Sequence, residues 1–145
     1  RALRTRVVII SGLWGCVGAS DPIPAYRLPI GARVPGVGGL AAYWRPTVSD
    51  AIRIAAGRGW IFDLLPDDHA LALRDDLPRR CRVQIVAGGS DGRRALGHAG
   101  KAVKGRLARA ILEQGPRTPA ELAAIQVDEL SVVERSDQRV TFQLR

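Results

Sequence analysis

The sequence predicts a mixed α/β fold, a mixed sheet with flanking helices, and three observations carry that expectation. Short apolar, β-branched runs such as residues 5–11 (TRVVIIS) and 82–86 (RVQIV) read as strands. Between and after them lie segments with helical spacing, clearest over residues 101–114. The chain then closes on two alternating runs, 130–134 and 140–144, separated by the turn residues Ser136-Asp137. Strands interleaved with helices indicate layered α/β or α+β packing rather than an all-helical or all-β domain. With 145 residues, 46% of them hydrophobic and 25% charged, the chain has the length and composition of one ordinary folded domain. Its longest apolar runs, such as Val7-Val8-Ile9-Ile10, are far too short to cross a bilayer, so no membrane role is expected.

Taken in order, residues 5–11 are apolar on both faces, which predicts a buried, central strand with neighbours on each side. Gly12-Leu13-Trp14-Gly15 turns the chain. Residues 21–39 hold four prolines and four glycines, which excludes helix and predicts a long irregular loop, with one short extended piece around residues 25–28. Pro46-Thr47 reads as a helix start, with Thr47 as N-cap, and the helix runs to about Ala56, before Gly57. Residues 60–65 (WIFDLL) read as a strand, and Pro66-Asp67-Asp68 suits a helix N-terminus. Residues 82–86 form the next strand, residues 88–92 a turn, and residues 93–98 its return strand. Val103, Leu107, Ala110 and Ile111 define the core face of a helix over 101–114, which Gly115-Pro116 ends. Thr118-Pro119-Ala120-Glu121 is a capping box with proline at the first helical position, and its helix extends to about Ile125.

Charge points toward an anionic partner. The net charge is +8, and 20 of the 22 basic residues are arginines; Lys101 and Lys104 are the two lysines. Such an excess attracts polyanions, nucleic acid first and small anionic ligands second. Cys16 and Cys81 stand far apart, and with His69 and His98 as the two histidines no zinc set can be written, so no metal and no cofactor is expected. Both thiols read as free, core-filling cysteines in a reducing cytoplasm.

Two places could bind an anion. Arg93, Arg94, Lys101, Lys104, Arg106 and Arg109 form a basic run without an acid among them. Gly97 and Gly100 flank His98 just ahead of the expected helix, and free backbone N–H groups there would favour an anion. The Walker pattern is absent, so nucleotide hydrolysis is not supported. The Gly97-His98-Ala99-Gly100 likeness to a helix-hairpin-helix turn is discounted, because a strand precedes it. The second place is the proline-stiffened stretch 21–28 (DPIPAYRL), where Tyr26 offers a hydroxyl and Arg27 a planar fork. Tyr43-Trp44-Arg45 could stack bases and contact phosphate, but reads first as a core pair before a helix. Asp67, Asp68 and His69 are explained by the helix start alone. Ser11, Asp63 and His98 have the types of a hydrolase triad, yet no Gly-x-Ser-x-Gly elbow surrounds Ser11. Catalytic residues therefore stay unassigned.

These same pieces carry a resemblance. ISGLWG at 10–15, DPIPAYRL at 21–28, LAAYWRP at 40–46, KAVKGRLAR at 101–109 and the Thr-Pro-Ala-Glu-Leu start at Thr118 resemble, in the same order, the YaaA peroxide-stress family of bacterial proteins. The resemblance is weakest over residues 56–92. It implies a YaaA-like fold in which residues 1–145 form the C-terminal part of a single domain whose N-terminal part is missing. It also implies a role in resisting hydrogen peroxide, limiting iron-dependent oxidative damage and binding DNA, although the family's DNA-binding hairpin would lie largely in the missing part. Pro66 and His69 stand where the family often has Ser and Tyr, so no role of that pair carries over. The resemblance supplies no reaction.

The expected function is thus a cytoplasmic, sequence-nonspecific DNA-binding protein of the peroxide-stress response. Its basic cleft would include Tyr26, Arg27, Arg45, Lys101, Lys104 and Arg109, with Arg27 and Lys101 facing one another. The alternative is an enzyme holding the phosphate or carboxylate of a small ligand between Lys101/Lys104 and Tyr26/Arg27.

Overall fold

The computed structural model describes residues 6–87 and 98–145. The elements run β1 (Val8–Ser11), β2 (Gly15–Gly18), β3 (Arg33–Val34), β4 (Gly38–Gly39), α1 (Leu40–Ala56), β5 (Ile61–Asp63), α2 (Asp67–Ala70), β6 (Arg80–Val86), α3 (His98–Gln114), α4 (Pro119–Ala124), β7 (Leu130–Arg135) and β8 (Arg139–Leu144). The mixed α/β class expected from the sequence is the class observed. The chain divides into two compact units. Unit one holds the residues up to Gly57 together with Leu65–Pro78, and unit two holds Arg58–Leu64 and Arg79–Arg145.

Unit two is a four-stranded sheet in the order β5-β6-β8-β7. The pairs β5–β6 and β6–β8 are parallel, and β7–β8 is an antiparallel hairpin whose register shifts between Val132 and Glu134. The parallel pairing of β6 with β8 requires a crossover, and α3 and α4 lie within it. Alternation along β6 sends Cys81, Val83 and Ile85 into a core shared with Val140 and Phe142 of β8, Val103, Leu107 and Ile111 of α3, and Leu122 of α4. The i, i+4, i+8 spacing of the three α3 residues is the stripe read from the sequence. Helix α3 starts at His98, three residues before the expected start, so Gly100 sits inside its first turn. The turn expected over 88–92 and most of the return strand over 93–98, with Arg93, Arg94 and Gly97, fall outside the described residues; His98 is helical, not strand.

The cap of α4 is as read. The Thr118 hydroxyl accepts from the Glu121 backbone N–H at 3.2 Å, and Pro119 occupies the first turn. The Glu121 carboxylate closes the motif on the N–H of Arg117, one residue earlier than in a standard box, at 2.8 Å.

Unit one is built differently. β1 and β2 form a two-stranded antiparallel hairpin around the 12–14 turn. The expected buried central strand is therefore corrected. Among the described residues β1 has one neighbour, and Val8 and Ile9 are 43% and 48% exposed, while Ile10 and Ser11 are buried. One paired edge and one covered end leave the other apolar side chains uncovered. Residues 21–29 are irregular and no strand forms at 25–28; the region ends in the small β3–β4 hairpin. Helix α1 begins at Leu40, not at Pro46, with Gly39 as its N-cap residue. Thr47 is thus interior and caps nothing. Leu40 is buried and its N–H bonds the Ala32 carbonyl at 3.0 Å, and the following Ala-Ala pair favours helix, which together carry the helix through Pro46.

Candidate functional site

The three motif stretches of unit one are joined through a few specific contacts. In the β1–β2 turn the backbone of Gly12 lies so close to the Leu28 carbonyl that a Cβ at this position would collide with it. The indole Nε1–H of Trp44, from α1, donates to the Gly12 carbonyl at 2.9 Å. Gly15 has φ +73°, and a Cβ there would meet the Trp44 ring at 2.6 Å. Both glycines are therefore required, one by close approach and one also by backbone conformation. The Asp21 carboxylate accepts from the Gly18 N–H at 2.7 Å, which fixes the entry to the proline-rich stretch. At its far end the Tyr26 hydroxyl lies 2.5 Å from Ser11 Oγ, and Ser11 Oγ also accepts from the Trp14 N–H at 3.0 Å. Residues 11–15, 21–28 and 44 thus form one knot.

This knot places the predicted residues of unit one. Tyr26 is 37% exposed and tied to Ser11. Arg27 is exposed and forms no hydrogen bond or ion pair among the described residues; Asp21, its nearest candidate acid in sequence, is used by Gly18 instead. Arg45 is half-buried and its Nε donates to the Leu71 carbonyl at 2.8 Å, a structural task. The expected core pair Tyr43–Trp44 splits. Trp44 is partly buried, while Tyr43 is 54% exposed, its ring meeting Trp44 edge-on at 5.0 Å. Trp14, 47% exposed, adds another aromatic face beside the knot.

The predicted residues of unit two sit on α3. Lys101 is exposed and unpartnered among the described residues. The Lys104 ammonium donates to the Leu64 carbonyl at 3.1 Å, just past the end of β5. Arg109 pairs with Glu113 one turn on at 2.7 Å, and Arg106 forms a two-pronged pair with Glu129. These exposed pairs are worth little in water and leave both guanidiniums accessible.

The sequence did not reveal a third cluster. Asp63 of β5 is buried, and one of its carboxylate oxygens accepts from Arg80 Nε at 3.0 Å, Arg80 Nη2 at 2.8 Å and Arg82 Nη1 at 2.8 Å. The register explains it. Asp63 stands opposite Arg82, and Arg80 and Arg82 share the face of β6 turned away from the core. The Arg-x-Arg spacing within a strand was the available signal; its acid came from another strand. Asp63 is thereby occupied in unit two, and Ser11 is held by Tyr26 in unit one, so neither is engaged as a triad member would be.

Burial pushes the half-buried Cys16 thiol up, and pushes the buried Cys81 thiol up to about 11, so both favour the unreactive protonated form at neutral pH. His69 Nδ1 bonds Asp68 at 2.9 Å, and that hydrogen bond lowers the Asp68 carboxyl. Among the described residues no group of three or more His, Cys, Asp and Glu is placed to hold a metal ion, and no helix is long and apolar enough to cross a membrane.

Comparison with known proteins places this arrangement. The family model described as peroxide stress protein YaaA matches residues 1–136. The chain belongs to the YaaA peroxide-stress family. A UPF0246 protein of Streptomyces coelicolor is 37% identical over 127 residues, covering 84% of this chain and 48% of the relative. A UPF0246 protein of Ruegeria is 35% identical over 124 residues, 79% of this chain and 49% of the relative. One from Corynebacterium efficiens is 36% identical over 132 residues, 86% and 52%. The chain spans about half the length of these YaaA/UPF0246 relatives.

Proposed function

We propose that this YaaA-family chain binds DNA without strong sequence preference and that this binding serves the peroxide-stress role of its family by shielding DNA from iron-dependent oxidation. The observation that carries the reading is the outer surface of α3. Between its first and fourth turns it presents Lys101, Arg106 and Arg109, and its sole acid, Glu113, is the residue before its last. Among the described residues Lys101 has no partner, and the two arginines are held there only by exposed ion pairs that phosphates could replace. In unit one the unpartnered Arg27 and the exposed rings of Trp14, Tyr26 and Tyr43 supply the phosphate and stacking contacts that nucleic-acid surfaces combine. A polymer can engage each unit through separate phosphates, so each supplies contacts of its own. The protonated state of both cysteines supports a protective role over peroxide reduction by a thiol. A cytoplasmic setting is part of this proposal.

The test is a salt titration of DNA affinity for the parent and for the Lys101→Ala/Arg109→Ala double variant. Lys104 is left in place because its ammonium holds the end of β5. The variant is expected to lose affinity equally for unrelated sequences and to flatten the salt slope by about 2, roughly one unit per removed phosphate contact. Parent-like affinity and slope in the double variant would remove α3 from the DNA surface. A parent affinity that barely responds to salt would favour a single small anion instead of DNA.

A further inference from the structure

The hydroxyl hydrogens of Ser11 and Tyr26 do not balance within the protein. Two hydroxyls bring two hydrogens, and the 2.5 Å contact between their oxygens uses one. The Trp14 N–H already donates to Ser11 Oγ, so it accepts no hydrogen from the pair. Neither hydroxyl makes any other hydrogen bond among the described residues. One hydroxyl hydrogen is left over, and burial decides which. Ser11 is 4% exposed, so a serine hydrogen without an acceptor would be stranded away from water. Tyr26 is exposed and can leave its hydrogen facing outward. The favoured arrangement is a relay in which Trp14 N–H donates to Ser11 Oγ, Ser11 O–H donates to Tyr26 Oη, and Tyr26 O–H points out.

We infer that the Ser11–Tyr26 pair is a recognition site for a phosphate oxygen, with Tyr26 the donor that touches the ligand and Ser11 the positioning residue that aims it. Each donor in the relay polarises the next, so the outer hydrogen is a stronger donor than that of a solitary tyrosine. The oxygen it meets is anionic, because the chain carries +8 and Arg27, next in sequence, has no counter-charge among the described residues. The knot keeps the hydroxyl in place before any ligand arrives: Gly12 against Leu28 and Trp44 on the Gly12 carbonyl leave the segment little freedom. The inference rests on the DNA reading for the source of the phosphate, but the same chemistry would accept the phosphate of a free small molecule.

Two measurements test it. With ring-labelled tyrosine, NMR resolves Tyr26 and Tyr43, the chain's two tyrosines, and Tyr26→Phe assigns them. Inorganic phosphate, titrated at constant ionic strength against chloride, should shift the Tyr26 signal saturably and leave Tyr43 in place. In parallel, Tyr26→Phe should lower DNA affinity about tenfold, the usual scale for one hydrogen bond to a charged group. Ser11→Ala should weaken binding similarly, the double variant should be no weaker than Tyr26→Phe alone, and Ser11→Thr, which keeps the hydroxyl, should restore it. A Tyr26 signal indifferent to phosphate, or Tyr26→Phe binding DNA like the parent, overturns the inference while leaving the α3 reading intact. A phosphate response in a parent that ignores DNA sustains the site and assigns its phosphate to a small molecule, and it is then the DNA reading that fails.

Discussion

The two units hold themselves together by different means. Unit two buries a continuous set of apolar side chains from two helices and two central strands, so its cohesion scales with area removed from water. Unit one buries an apolar set of its own, Ile30, Leu40, Val48 and Leu73 among it, but fixes its motif stretches by point contacts: a glycine against a carbonyl, a glycine under an indole, an indole N–H on a backbone oxygen and a serine under a tyrosine. Other apolar residues meanwhile crowd its surface, with Val8, Ile9, Leu13, Trp14, Ile23 and Tyr43 all exposed. The contrast teaches that the stretches resembling the family's motifs in unit one encode geometry, whereas the core of unit two encodes bulk. Exchange of one apolar residue for another of similar volume should be tolerated in the core of unit two, whereas the close contacts of Gly12 and Gly15 in unit one admit no larger residue.

Three experiments press on that contrast. The largest effect should come from Phe142→Ala, which removes a fully buried ring from the centre of unit two and is expected to cost about 3–5 kcal/mol in urea denaturation. A loss under about 1 kcal/mol would mean that the core is not what carries unit two. Next comes Gly15→Ala, a single methyl added in unit one. The left-handed backbone alone costs about 1–2 kcal/mol, and displacement of Trp44 adds to it. A shift in tryptophan fluorescence should accompany the loss, and a parent-like spectrum and stability would show the knot to be dispensable.

The mildest probe uses the two cysteines as reporters, one in each unit. Alkylation near neutral pH should reach half-buried Cys16 well before Cys81, whose thiol should react only when unit two opens. The alkaline limb has a definite sign. The Cys81 pKa is raised in the folded state, so its protonated form contributes fully below the unfolded value of about 8.5, and that contribution fades as pH climbs toward about 11. A Cys81→Ala variant should lack this alkaline loss.

Much of unit two was legible because its signals are local. Val103, Leu107 and Ile111 repeat at helical spacing, Thr118 and Glu121 spell a cap at a spacing of three, and residues 130–144 alternate around a polar turn. What escaped there needed pairing register: Asp63 meets Arg80 and Arg82 only because β5 lies beside β6. Unit one was less legible for a physical reason. Its apolar run at 7–10 carries the pattern of a central strand, but burial depends on neighbours that a pattern does not supply. Pro46 looked like a helix start because proline favours that position, whereas a helix already under way accommodated it. Tyr26 was singled out, yet its partner was not, since no periodicity links Ser11 to a residue 15 positions on across an irregular loop.

The path of the chain has a consequence for how the molecule comes into being. β5 leaves unit two at Leu64, the chain spends Leu65–Pro78 in unit one, and it returns at Arg79 to start β6. Two parallel strands that must lie side by side are therefore tethered by an excursion whose ends meet only when β5 and β6 have found each other. While the excursion is unstructured, closing it carries an entropic penalty that grows with its length. Once it has docked within unit one, through Arg74 N–H on Ser49 and Arg45 on the Leu71 carbonyl, much of that penalty has been met. Such an arrangement makes the order of events matter. A ribosome delivers all of unit one, this excursion included, before it delivers β6, so synthesis itself runs in the direction that shortens the search for the edge pairing of the sheet.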